Sequence, residues 1–298
     1  MKTLIADSFP QSYVSEISNL GVEVQYKPKL KAEELAANIG DTSILIVRST
    51  EVHPDCINAG KNLSLIIRAG AGVNTIDVKA ANARGIYVAN CPGKNSIAVA
   101  ELTIALLLSL DRRIVENVSD LRGGKWNKSE YSKADGVFGK TIGIIGVGQI
   151  GKEVITRAKA FGLRVIAWSR SLTPEKAEKL GIEYAASVET LVPQCDIVSI
   201  HVALKPETRN LINKNIIHSM KPGTIFLNTS RAEVVDEAAL REAVTAGVVK
   251  VGADVFSNEP EEKNGPYSHP LAMMPGVYGT HHIGASTNQA QNAVAAEV

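Results

Sequence analysis

Short runs of β-branched and aliphatic residues alternate along this chain with segments whose apolar residues recur every three or four positions. Residues 2–6, 22–25, 43–47 and 63–67 read as strands, with helices over 11–20, 32–39 and 56–59 between them. After residue 140 the alternation resumes, with strands over 141–145, 164–168, 197–200, 224–227, 249–253 and 277–278. Helices are expected over 152–161, from Pro174 to the glycine at 181, over 236–246 and over 288–298. Thr173-Pro174-Glu175 carries three marks of a helix start: a capping hydroxyl, a proline in the first turn and an acid at the positive end of the dipole. Alternation at this spacing predicts an α/β chain of doubly wound parallel sheets flanked by helices.

Two stretches break the rhythm. Asn90-Cys91-Pro92-Gly93 reads as a hinge, and beyond it Asn95 or Ser96 can cap a long apolar helix through Leu110. That apolar run is interrupted by Glu101 and is too short to span a bilayer, so it reads as a buried helix. Arg122-Gly123-Gly124-Lys125-Trp126 reads as an exposed loop whose aromatic serves either a subunit contact or local packing. The helical pattern at 288–298 reaches the last residue without a stop signal, as in a chain cut short.

Length and composition narrow the class. At 298 residues there is room for about two domains. Lys and Arg number 32 and Asp and Glu 31, a net charge of +1 that gives no reason to expect nucleic acid or an anionic membrane as a partner. Cys56, Cys91 and Cys195 are far apart and form no CxxC, which argues against a disulfide framework or a zinc site and fits a reducing compartment. The first residues read as a strand and not as a signal peptide, so a cytoplasmic location is expected.

The sharpest motif is Gly146-Val147-Gly148-Gln149-Ile150-Gly151, set between a strand and a helix with a second strand following. Gly146 suits the tight turn, Gly148 lets the backbone approach a pyrophosphate, and Gly151 lets helix and strand pack closely. The free N–H groups and positive dipole end of that helix, at Gln149 and Ile150, then face the phosphates. A nicotinamide dinucleotide is the expected cofactor. In the first half, Ala69-Gly70-Ala71-Gly72 follows a strand and reads either as an anion nest of backbone N–H groups or as a plain tight turn.

In an open parallel sheet the ligand lies outside the carboxyl ends of the strands. Arg231 follows the strand at 224–227, Asp254 and Glu259 follow that at 249–253, and His281 and His282 follow that at 277–278. A cation, a carboxylate and a histidine beside a dinucleotide are the groups needed to reduce a 2-oxo acid. The cation holds the substrate carboxylate, the histidine protonates the new alkoxide, and the carboxylate tunes the histidine.

These segments resemble the D-isomer-specific 2-hydroxyacid dehydrogenase family, most closely its D-3-phosphoglycerate dehydrogenase branch. RAGAGVNTID (68–77), CPGKNSIAVAE (91–101), GKTIGIIGVGQIGKEV (139–154), NTSRAEVVDEAAL (228–240), GADVFSNEP (252–260) and HIGASTNQAQ (282–291) carry the likeness. It implies two Rossmann-like domains with a cleft between them: a substrate domain over 1–95, a dinucleotide domain over 96–282, and a C-terminal helix, 283–298, returning to the first. It implies that His282 is the acid/base, that Glu259 pairs with it and raises its pKa, and that Arg231 grips the substrate carboxylate. Asp254 would hold the nicotinamide carboxamide, while Ala71, Gly72 and Asn95 would complete the substrate site. Arg48 and Arg68 each follow a strand and match arginines of the phosphoglycerate branch, and each would either bind a substrate phosphate or only bridge a nearby acid. A homodimer built on the cofactor domain is implied, with no metal. 3-Phosphoglycerate is the first choice of substrate. Glyoxylate or hydroxypyruvate reduction is the alternative, and a dinucleotide-sensing corepressor is the alternative outside the enzymes.

The sequence departs from the family pattern at four places. His281 stands where proline is usual, Ala232-Glu233 replace two common glycines after Arg231, and Ala203 replaces a proline. At the end of the second strand, where an acid holds the ribose of NAD, stands Ser169 followed by Arg170, with no acid until Glu175. NAD or NADP is therefore expected, with NADP mildly preferred.

Overall fold

A computed structural model gives the architecture, described for residues 1–260 and 264–298. The chain divides into two units, Met1–Asn95 with Ala285–Val298, and Ser96–Gly284. Each is a parallel sheet with helices on its faces.

In the first unit the strands are β1 (Lys2–Ile5), β2 (Glu23–Tyr26), β3 (Ile44–Val47), β4 (Leu65–Arg68) and β5 (Tyr87–Asn90), in the order β2-β1-β3-β4-β5. Alternate side chains leave opposite faces of a strand. Leu4, Leu45, Val47 and Ile66 accordingly join one apolar cluster, while Ile5 and Ile46 join another. The second cluster includes Val294 and Ala295 of the C-terminal helix, Asn288–Ala295, which is thereby fixed to this unit. Ala285–Val298 groups with this unit, while the N–H groups of Ile283 and Gly284 just before it are tied to Asp254 of the second unit.

The second unit holds β6 (Thr141–Ile145), β7 (Arg164–Trp168), β8 (Glu183–Tyr184), β9 (Ile197–Ile200), β10 (Thr224–Asn228), β11 (Val249–Ala253) and β12 (Val277–Gly279). Their order is β12-β11-β10-β9-β6-β7-β8. All residues of β6, β9 and β10 are buried, as expected for parallel strands covered on both faces. Ile142, Ile144, Ile197, Ile225 and Leu227 fill one face, and Ile145, Val198, Ile200 and Phe226 the other. The helix Ser96–Arg112 packs against β10, β11 and the helix Gln149–Ala160. No described helix is long and apolar enough to cross a membrane.

The helix expected to begin at Lys152 begins at Gln149, so the last glycine of the motif lies in its first turn. Thr173 caps the next helix through Lys176 N–H at 3.3 Å, and Asp236 caps Glu237–Thr245 through Ala239 N–H at 3.0 Å. Edge strands β5 and β8 escape a reading by hydrophobic pattern, because most of their residues are exposed and polar or aromatic. The three cysteines are free and buried.

Candidate active site

In the second sheet the chain runs from β6 to β7 on one side and continues on the other side at β9, and Gly146 sits at that switch point. Its φ is +104°, and a Cβ there would stand 2.5 Å from the carbonyl oxygen of His201 just after β9. A Cβ on Gly151 would stand 2.0 Å from the carbonyl oxygen of Gly146, so helix and turn touch backbone to backbone. Gly148 has open space on its Cβ side, and it precedes the helix Gln149–Ala160 without a side-chain cap. The amides of Gln149, Ile150 and Gly151 thus head a twelve-residue helix over an open glycine cradle, which fits a dinucleotide pyrophosphate. His201 borders the same turn. Burial pushes its imidazole down to about 3, and its Nε2 lies 2.8 Å from Ser199 Oγ. Ser169, half-buried, and Arg170, exposed, follow β7, the neighbour of β6.

β10, β11 and β12 are adjacent, so the residues following them share one edge of this sheet. After β10 the turn 228–231 is held by its own side chains. Asn228 Oδ1 accepts from Ser230 N–H at 3.0 Å and from Ser230 Oγ at 2.8 Å, and Asn228 Nδ2 donates to the carbonyl of Arg231 at 3.0 Å. Thr229 Oγ1 meets Thr103 Oγ1 at 2.9 Å, which fastens the turn to the long helix. Arg231 Nη1 donates to Ser230 O at 2.7 Å. Glu233, two residues further on, is exposed.

After β11, Glu259 accepts from Phe256 N–H at 2.8 Å through Oε1, and its Oε2 lies 2.6 Å from His282 Nδ1. Burial raises the Glu259 carboxyl, but the bonds from His282 and Phe256 and the field of Arg231 outweigh it, leaving it below the ordinary carboxylate range. With Nδ1 engaged, His282 has Nε2 left for a substrate. His281 is exposed and makes no such bond among the described residues.

Asp254 is 2% exposed and accepts three bonds from the segment carrying His282: Thr280 Oγ1 at 2.6 Å, Ile283 N–H at 2.9 Å and Gly284 N–H at 2.8 Å. His282 itself takes φ +50°, a left-handed conformation that the flanking bonds hold in place. Thr280 was not among the candidates drawn from the sequence. No spacing rule marks a hydroxyl 26 residues from its acceptor.

The first unit has its own switch point, between β1 and β3. There Asp7 Oδ2 accepts from the N–H groups of Arg48, Ser49 and Thr50 at 2.7, 2.9 and 3.0 Å. Burial raises the Asp7 carboxyl, and the bonds from Thr50, Arg48 and Ser49 outweigh it, so its pKa is lowered. The chain's own carboxylate thus takes up these three N–H groups and fixes the backbone of Arg48. An acid directly after the first strand was the available signal. In the turn after β4, Ala69 N–H donates to Val47 O at 2.7 Å and Gly70 N–H to Arg68 O at 2.8 Å, leaving the amides of Ala71 and Gly72 unpaired among the described residues. The Arg68 guanidinium lies over Gly70, where a Cβ would meet Nη1 at 1.6 Å. Asn95 Oδ1 is buried without a partner among the described residues.

Residues 104–284 match the family described as D-isomer specific 2-hydroxyacid dehydrogenase, NAD binding domain. D-3-phosphoglycerate dehydrogenase of Methanocaldococcus jannaschii is 39% identical over 295 residues, covering 98% of this chain and 55% of that protein. The chain therefore spans about half the length of that relative. The crystal structure of TT0316 protein from Thermus thermophilus superposes with a TM-score of 0.86 at 34% identity, covering 99% of this chain and 94% of that one. An acyclic imino acid reductase in complex with NADPH and D-Arg superposes with a TM-score of 0.86 at 27% identity, covering 100% and 94%. The family match spans more than half of the chain and takes in the glycine cradle, Arg231 and the pair Glu259–His282, so this chain belongs to the D-isomer specific 2-hydroxyacid dehydrogenase family.

Proposed function

We propose that this protein is an NAD(P)-dependent oxidoreductase acting between a D-2-hydroxy acid and its 2-oxo acid, with 3-phosphoglycerate and 3-phosphohydroxypyruvate as the substrate pair. The observation that carries this reading is the 2.6 Å contact between His282 Nδ1 and Glu259 Oε2, beside the arginine that follows the neighbouring strand. A bound nicotinamide supplies or receives the hydride at substrate C2. In reduction, His282 Nε2 gives its proton to the C2 oxygen as negative charge builds there, and in oxidation it takes the proton back. Glu259 accepts from Nδ1–H in both directions, which fixes the ring and stabilises its charged form. Arg231 pairs with the substrate carboxylate and polarises the carbonyl through its remaining N–H donors.

The dinucleotide rests on Gly146, Gly148, Gln149, Ile150 and Gly151, with Ser169 and Arg170 at the adenosine ribose. Asp254 uses three acceptor positions on the His282 segment. A carboxylate has about four, so one lone pair is left for a carboxamide N–H. Ala71 and Gly72 amides and Asn95 bind the substrate, and Arg48 and Arg68 take its phosphate as guanidinium forks. NADP is mildly preferred over NAD. The protein works as a homodimer, whose contact is made by Val115, Leu121 and Trp126, apolar residues 57%, 53% and 79% exposed in the cofactor-binding unit.

Oxidation of NADH and NADPH, each crossed with 3-phosphohydroxypyruvate, glyoxylate and hydroxypyruvate, tests the reading. The highest kcat/KM is expected with 3-phosphohydroxypyruvate. A preference for glyoxylate or hydroxypyruvate would replace the phosphoglycerate assignment with a reductase of small 2-oxo acids. Tight dinucleotide binding without turnover on any of them would overturn the enzyme reading.

A further inference from the structure

Behind Glu259 lies a second polar group that takes no part in the chemistry above. Ser257 Oγ donates to Glu237 Oε2 at 3.0 Å, in the first turn of the helix Glu237–Thr245. His269, 4% exposed, brings Nε2 to 2.9 Å from Ser257 Oγ and 3.3 Å from Glu237 Oε1. Because the serine proton points to Glu237, Ser257 Oγ acts as the acceptor towards the ring, so Nε2 carries the proton. Tyr267 closes the group, donating to Ser257 O at 3.1 Å and stacking on the His269 ring at 5.9 Å, while Phe256 meets the same ring in a tilted contact at 5.1 Å.

The placement of this group gives it a use. Residues 256–259 form one tight turn, with Asn258 at φ +54° and the Phe256 N–H closing back on Glu259 Oε1. Ser257, inside that turn, is tied by its side chain to a helix of the sheet's covering layer, and its carbonyl is held by Tyr267. The Tyr267 hydroxyl is held above its ordinary range by burial first and then by the fields of Glu259 and Glu237, so both carboxylates act on one phenol. A turn with a left-handed residue costs free energy and persists where neighbouring contacts fix it.

We propose that Ser257, Glu237 and His269 are positioning residues for Glu259, a brace that fixes the turn from which Glu259 reaches His282. This rests on Glu259 and His282 being the acid/base pair. It differs from ordinary packing in acting on turnover through one carboxylate, with little effect on dinucleotide binding.

The test uses 3-phosphohydroxypyruvate and glyoxylate with NADH and NADPH, taking the pair on which the parent turns over fastest. Ser257→Ala should lower kcat by about tenfold, the scale of a misplaced catalytic group. KM for the 2-oxo acid and the dinucleotide Kd should stay within about twofold, and Ser257→Thr, which keeps the hydroxyl, should stay near the parent. In a Glu259→Gln background, Ser257→Ala should cost nothing further, because residues acting through one another are not additive. Glu237→Gln, alone and in the same background, carries the same expectation and serves where Ser257→Ala does not fold. Unchanged kcat in both single variants, full additivity with Glu259→Gln, or a joint fall of kcat, dinucleotide affinity and Tm would overturn the brace. Full turnover in both His282→Ala and Glu259→Gln would instead overturn the acid/base reading beneath it.

Discussion

Thr280 Oγ1 donates to Asp254 Oδ1 at 2.6 Å, and that bond opens a three-point clamp completed by the N–H groups of Ile283 and Gly284. The residue enclosed by the clamp is His282, with a left-handed backbone. An L-residue with φ near +50° is disfavoured, so the clamp supplies what the local chain does not. Asp254→Ala should leave three donors without their acceptor and lower unfolding free energy by about 1–3 kcal/mol, with a fall in kcat. Thr280→Val should show a smaller loss of the same kind, and Thr280→Ser should restore it. Denaturant unfolding beside steady-state kinetics checks this, and parent-like stability and kcat in Asp254→Ala would remove the clamp from the account.

His282 and His281 are separable by geometry. His282 reaches Glu259, and His281 is exposed without that partner. His282→Ala should cut kcat by about 10²–10⁴-fold, the usual effect of losing a placed general acid, and His281→Ala should cost far less. Equal losses in the two variants would show that the register of the pair is wrong.

Much of this was legible in the sequence, and the reason is periodicity. Thr141–Ile145, Arg164–Trp168, Ile197–Ile200 and Val249–Ala253 are buried aliphatic strands bounded by glycine or polar turns, so their limits follow from composition. Arg231, Glu259 and His282 were legible because each follows a strand, and the order β12-β11-β10 makes those strand ends neighbours. Thr280, Ser257 and His269 were not. Their partners lie on other elements, and only the folded chain brings a hydroxyl or an imidazole to a distant carboxylate. The helix Ile114–Arg122 was also missed: Ile114, Val118 and Leu121 recur at helical spacing, but the stripe is short and none of its residues is buried in a core.

Asp7 predicts an acid-limb effect. Its carboxyl is lowered because the bonds from Thr50, Arg48 and Ser49 outweigh the burial that would raise it. A group lowered by folding contributes stability above its ordinary value of 3.8, and that contribution is lost as pH falls through the folded value. Stability of the parent should therefore fall between about pH 5 and pH 2, and Asp7→Asn should show a shallower fall over that window while being less stable at pH 7. Parallel curves for the two proteins would show that Asp7 does not titrate with folding.

Gly151 predicts a loss that does not depend on the identity of the substrate. A Cβ there would lie 2.0 Å from the carbonyl oxygen of Gly146, and backbone on the far side cannot yield as a flexible side chain would. Gly151→Ala should push the helix from the turn, weakening dinucleotide binding by at least about tenfold, whereas Gly148→Ala meets open space and acts only where a pyrophosphate would lie. Fluorescence titration with NADH and NADPH checks both. If Gly151→Ala binds as the parent does, the cradle is not where the dinucleotide rests.

The cofactor prediction turns on the end of β7. Ser169 follows that strand directly, next to the glycine cradle that follows its neighbour β6. An acid in that place would pair with a ribose 2′-hydroxyl and repel a 2′-phosphate, and here neither effect is available before Glu175, which lies in the next helix. On the proposed reading Ser169 would donate its hydroxyl and exposed Arg170 would supply a countercharge, both favourable to the phosphate of NADPH. Arg170 is exposed, so its pairing with phosphate is screened by solvent, which is why the expected preference is mild. kcat/KM should thus favour NADPH over NADH by about two- to fivefold at low salt, and the margin should narrow as salt rises. Ser169→Asp should reverse the order, by removing a donor and adding repulsion, and Arg170→Ala should lose the NADPH advantage while leaving NADH unchanged. A parent that strongly prefers NADH, with Arg170→Ala indifferent to both, would make Arg170 a surface charge and leave the ribose held by Ser169 alone.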